Sequence, residues 1–142
     1  GKSTHLGYGI PLMIGAKMAE PNKFCLNFMG DGAFGMSGLD IETSVRSGNP
    51  ITTVVMNNGT MGGYPARYPQ SIEKFDTIKM TGNYATLAEG MGAEGIEVNN
   101  PEELKGAIIK AQQLNSEGTS ALLDVKTQPE LKMSTYEELL QN

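Results

Sequence analysis

The chain has 142 residues, 39% hydrophobic and 19% charged, a size and balance suited to one packed domain rather than to a disordered segment. Its formal net charge of −5 argues against nucleic acid or an anionic membrane as partner, so an anionic ligand would have to be held locally, by backbone amides or a cation. The one histidine, His5, excludes a multi-histidine metal site within the chain, and the one cysteine, Cys25, excludes an internal disulfide.

In chain order the pattern alternates short β-rich runs with longer helical ones, as in an α/β fold with three layers, a mainly parallel sheet covered by helices on both faces. A helix is expected over Gly9–Ala19, then a strand over Lys23–Met29, a helix over Ser37–Ser47 and a strand over Ile51–Met56. The segment Gly59–Gly82 carries four glycines and two prolines with little periodicity, and reads as an extended loop with one helical turn. Beyond it come a helix over Tyr84–Met91, a strand over Gly95–Val98, a helix over Glu102–Asn115 and a strand over Ala121–Lys126. The last helix is the clearest. Pro101 follows Asn100, Glu102 and Glu103 sit near the positive end of the dipole, and Leu104, Ala107, Ile108, Ala111 and Leu114 recur at helical spacing. A short tail helix, Tyr136–Leu140, is expected behind a Ser134 or Thr135 cap. Cys25 lies in an apolar run and reads as a buried hydrophobe. No apolar run approaches a membrane span and no signal peptide is recognisable, so a cytoplasmic protein is expected. The absence of an initiator methionine raises the expectation of a fragment or subunit of a larger enzyme.

Two points carry the chemistry. Gly30-Asp31-Gly32-Ala33 directly follows the first strand, and Asn57-Asn58-Gly59-Thr60 directly follows the second. Both therefore fall at carboxyl ends of parallel strands, where open α/β sheets place their ligands. Asp31 offers a charged oxygen, Asn58 a neutral carbonyl oxygen, and the turn after it main-chain carbonyls, which is the donor chemistry of a hard cation such as Mg²⁺. Gly32 and Ala33 are small enough for their amides to approach a phosphate. Each motif alone is an ordinary turn. The pair at a fixed separation, each after a strand, is more specific.

Gly30-Asp31-Gly32, 24 intervening residues and Asn57-Asn58 resemble the thiamin-diphosphate-binding motif. Leu6-Gly7-Tyr8-Gly9-Ile10-Pro11, Asn83-Tyr84-Ala85 through Ala93, and Pro101-Glu102-Glu103-Leu104 are similar to the surrounding segments of the acetolactate synthase-like group, so the resemblance covers nearly the whole chain. It implies Asp31, the side-chain oxygen of Asn58 and the main-chain carbonyl of Thr60 as Mg²⁺ ligands. It implies Gly30, Gly32, Ala33 and the Met61–Gly62 turn around the diphosphate of thiamin diphosphate, Leu6 wedged between the cofactor's rings, and Thr4, His5 and Leu6 near its aminopyrimidine. The substrate implied is a 2-oxo acid, decarboxylated or ligated. The activating glutamate would belong to a separate pyrimidine-binding domain, usually across a subunit interface of a homo-oligomer, so no catalytic side chain is assigned within these residues. The loop Gly59-Thr60-Met61-Gly62-Gly63-Tyr64 matches no single substrate-defined member. On the residues alone, a stand-alone module for a nucleotide diphosphate with Mg²⁺ and a non-catalytic assembly domain stay open.

Overall fold

The computed structural model describes residues 5–61 and 68–129. Helix α1 (Gly9–Ala19) leads into strand β1 (Leu26–Gly30), which passes directly into α2 (Asp31–Ser37) and α3 (Asp40–Arg46). Strand β2 (Thr52–Asn57), α4 (Pro69–Phe75), α5 (Tyr84–Gly90) and β3 (Glu94–Val98) follow, then α6 (Leu104–Ser116), entered through a 3₁₀ turn at Pro101–Glu103, and β4 (Ala121–Lys126). All four strands are parallel, in the order β1-β2-β4-β3. The last strand in sequence therefore lies inside the sheet, and its outward neighbour is the third.

Both faces of the sheet are covered, which explains strands that are apolar at nearly every position. Successive residues point to opposite faces. Val55 and Leu122 join Ile10, Ile14, Met29, Phe34, Ile41 and Ala88 in a core beneath α1, α2, α3 and α5. Val54 and Leu123 point the other way, into a second core with Val98, Ala107 and Ala111 beneath α6. Leu104, Ile108 and Leu114 complete that second core, so the helical stripe expected from the sequence does face the sheet. The three-layer α/β architecture is as expected.

Two local expectations change. The helix expected at Ser37–Ser47 is the shorter α3, and a separate helix, α2, precedes it from Asp31, with Gly38 between them leaving room for the Phe34 ring. Asp31 is the first residue of α2. The supposed loop 59–82 holds the two-turn helix α4, started by Pro69 and ended by Asp76 in the left-handed region (φ 49°), and an antiparallel bridge between Thr60 and Lys79. The expected tail helix Tyr136–Leu140 lies outside the described residues. Among the described residues no helix is long and apolar enough to cross a membrane.

Candidate functional site

The two motifs singled out in the sequence meet at the carboxyl edge of the sheet. Gly30 pairs with Met56, so the chain leaves β1 and β2 side by side. Asp31, 2% exposed, is the first residue of α2, and its carboxylate accepts two main-chain hydrogen bonds. Oδ1 takes the Gly32 N–H at 2.8 Å, and Oδ2 takes the Gly59 N–H, from the other motif, at 3.0 Å. Gly59 adopts a left-handed conformation (φ 69°) that glycine reaches without penalty. Past it, Asn58 Oδ1 accepts the Thr60 N–H at 3.0 Å, closing an Asx turn.

The bridge to Lys79 then sorts the main-chain groups of this turn. The Gly59 carbonyl accepts from Met80 N–H at 2.9 Å, and Met61 N–H donates to the Ile78 carbonyl at 2.7 Å. Thr60, between them, turns its carbonyl away from that pairing, and no hydrogen bond among the described residues ends on it. A buried carboxylate at the start of α2, and a side-chain amide oxygen and an unclaimed main-chain carbonyl in the turn hydrogen-bonded to it, are oxygens of the kind a hard divalent cation takes. Among the described residues no three His, Cys, Asp or Glu side chains gather for an all-protein metal cage.

The remaining described residues named from the sequence fall into two groups. Gly32 is in close contact with Met61: a Cβ there would lie 2.7 Å from the thioether sulfur. The Met61 N–H is spent on Ile78, so only its side chain faces Gly32. His5, Leu6, Gly30 and Ala33 line one cleft of about 480 Å³, with Asn27 and Phe28. His5 is exposed and Leu6 41% exposed. Ser37 Oγ donates to the Gly7 carbonyl, tying this segment to α2. Thr4 and Gly62 lie outside the described residues.

Several contributors went unnoticed in the sequence. The Nδ2 of Asn27 is buried in that cleft without a hydrogen-bond partner among the described residues, while its Oδ1 accepts from Thr53. Asp124, wholly buried on β4, accepts from Asn57 Nδ2 at 2.8 Å, from the Tyr84 main-chain N–H at 3.0 Å and from Lys126 Nζ at 2.7 Å. Tyr84 packs edge-on against Phe34 (centroids 5.2 Å apart). Burial, and then the Asp31 and Asp124 carboxylates, push its phenol above the ordinary tyrosine range. A signal for Asp124 was present: an acid in the middle of the apolar run Ala121-Leu122-Leu123-Asp124-Val125 sits on a strand buried on both faces.

The fold and this edge define a class, an α/β domain with an oxygen-lined site where two parallel strands end. Residues 1–125 match the thiamine pyrophosphate enzyme C-terminal TPP binding domain, and the chain belongs to that family. It is 34% identical over 131 residues to a sulfoacetaldehyde acetyltransferase of Alcaligenes xylosoxydans, covering 88% of this chain and 21% of the relative. It is 33% identical over 118 residues to the acetolactate synthase large subunit of Corynebacterium glutamicum, covering 78% and 19%. A putative thiamine pyrophosphate-containing protein of Bacillus subtilis is 37% identical over 109 residues, covering 75% and 19%. The chain spans about a fifth of the length of these curated relatives.

Proposed function

We propose that these residues hold the diphosphate of thiamin diphosphate through Mg²⁺, as one domain of a larger 2-oxo acid decarboxylase or carboligase. The observation that carries this is the Asp31–Gly59 hydrogen bond, which ties the acidic motif to the Asn58–Thr60 turn. The donor set fits the cation. Asp31 would supply the charge and Asn58 and Thr60 neutral oxygens, leaving room for phosphate oxygens and water, the ligands Mg²⁺ usually takes besides one or two protein acids. The cradle fits the diphosphate: Gly32 has no side chain, and Met61 is a flexible thioether that can move from the space it occupies. With a net charge of −5 the chain has no basic field for an anion, so the cation is what makes diphosphate binding favourable.

Bound there, thiamin diphosphate would supply an electron sink for carbanion chemistry at the substrate carbonyl. The chain's own part is to bind and orient. Asp31, Asn58 and Thr60 would hold the metal, and Leu6, His5, Gly30 and Ala33, which line one cleft, would hold the organic part of the cofactor, with Leu6 against its middle. No acid of this chain is assigned to activate the cofactor. That role is assigned to a glutamate on a pyrimidine-binding domain, on the same or a partner chain of a homo-oligomer, so these residues alone are expected to be inert.

Calorimetric titration with thiamin diphosphate, with and without Mg²⁺, tests the reading. Binding should require the cation, and Asp31→Asn should weaken it at least tenfold while near-native circular dichroism is kept. Metal-independent binding, or an Asp31→Asn variant that binds like the parent, rules the assignment out. Tighter binding of a nucleoside diphosphate with Mg²⁺ than of thiamin diphosphate would instead favour a nucleotide module.

A further inference from the structure

The carboxylate of Asp124 is costly to bury and takes no part in the proposed metal shell. It is wholly buried on β4, which lies between β2 and β3. Isolated, such a charge would lose several kcal/mol of hydration, so its partners define its purpose. Three donors converge on it. Asn57 Nδ2 reaches Oδ1, while the Tyr84 N–H and Lys126 Nζ reach Oδ2. Asn57 is the last residue of β2 and immediately precedes Asn58. Its Nδ2 also lies 3.4 Å from the Gly82 carbonyl, at the end of the segment that returns from the Thr60–Lys79 bridge. Tyr84 is the first residue of α5. One carboxylate therefore ties together the end of β2, the start of α5 and β4, directly under the turn that carries Asn58 and Thr60.

We infer that Asp124 is a positioning residue: by gripping Asn57 and the first turn of α5 it sets the direction in which β2 delivers Asn58 and the Thr60 carbonyl to the cation. This rests on the metal reading given above. A carboxylate suits the place because both oxygens face donors. An asparagine of the same shape would keep one acceptor for the Tyr84 N–H and turn an NH₂ toward the Asn57 NH₂, so that Asn57 either loses this bond or flips its amide away from the Gly82 carbonyl. Groups that orient a metal's ligands typically contribute ten- to a hundred-fold to its affinity (roughly). Asp124→Asn should therefore weaken binding of Mg²⁺ with thiamin diphosphate by about that factor.

The test uses the whole protein and two readouts. The first is calorimetric Mg²⁺ affinity at saturating thiamin diphosphate. The second is amide exchange, measured by mass spectrometry without any ligand, over peptides covering residues 52–56 and 57–61. Asp124→Asn should lower the affinity and speed exchange in 57–61 while 52–56 stays protected. Asn57→Ser removes the same bond from the half-exposed side and should do likewise, which keeps the test valid if Asp124→Asn does not fold. Parent-like affinity and parent-like exchange in the folded variants overturn the inference. So does equal loss of protection in both peptides, since that describes a generally weakened sheet. If the parent itself binds no thiamin diphosphate with Mg²⁺, the metal reading fails and this inference falls with it. If the parent binds and the variants bind equally well, the inference alone fails.

Discussion

The main-chain N–H of Gly59 points at Oδ2 of Asp31, 3.0 Å away, across 28 residues of sequence. The bond joins the ends of two neighbouring strands and presets the distance between the acid and the Asn58–Thr60 turn. It also depends on a backbone conformation, φ 69° at Gly59, that side-chain-bearing residues adopt at a cost of about 1–2 kcal/mol.

Gly59→Ala should therefore lose stability of that order, and metal-dependent binding should fall by more than the stability loss explains, because the N–H swings off Asp31. Chemical denaturation beside a Mg²⁺ titration separates the two. Unchanged affinity in a folded Gly59→Ala protein would mean that the Asp31–Gly59 bond does not organise the site.

A second prediction concerns pH. The Glu103 carboxylate accepts the N–H groups of Asn99 at 2.9 Å and Asn100 at 3.2 Å. Those bonds, Asn99's first, with the Asn100 side chain, hold its carboxyl below the ordinary value of 4.5. The folded state thus prefers the ionised form more than the unfolded chain does. Its contribution is full above the unfolded pKa and disappears as pH falls through the lower folded one. Glu103→Gln should melt slightly below the parent at neutral pH, and the two should converge in strong acid. A gap that widens on acidification would contradict this origin. The group is exposed, so the effect is small and weakens with salt.

The third prediction is self-association without turnover. Phe28, Met36 and Leu39 are 64%, 58% and 75% exposed, and Leu12 and Tyr8 each 53%. Surface of that kind is normally covered by a partner. Sedimentation of residues 1–142 at micromolar concentration should show a dimer or larger. The same preparation, given thiamin diphosphate, Mg²⁺ and pyruvate, should release carbon dioxide only at background rate. A clean monomer removes the partner argument, and turnover would mean that an acid of this chain activates the cofactor.

Helix α4 buries none of its residues, and Phe75 is 75% exposed. Little burial means a low cost of local opening, so limited proteolysis should cut first within 68–79 and be slowed by thiamin diphosphate with Mg²⁺. First cleavage in β2 or β4 instead would place the weak point elsewhere.

The alternation of short apolar runs with helical stripes, and the spacing of Gly30-Asp31-Gly32 to Asn57-Asn58, are properties of neighbouring residues along the chain. They were legible without coordinates for that reason. Strand segments, the α6 stripe and the meeting of the two motifs at one sheet edge follow from side-chain periodicity and from the rule that parallel strands end together. The separate helix α2 before Gly38 was not legible, and neither was the packing of the Phe34 ring over Gly38, which is a tertiary contact. Nor were helix α4 and the bridge between Thr60 and Lys79, which couples residues with no shared periodicity. Asp124 makes the case most clearly. Its residue type marked it as unusual in a buried strand, yet its partner Asn57 lies 67 residues away. They are neighbours only because β4 inserts between β2 and β3, and strand order is decided by how the helices pack on both faces, a non-local balance that no window of sequence contains.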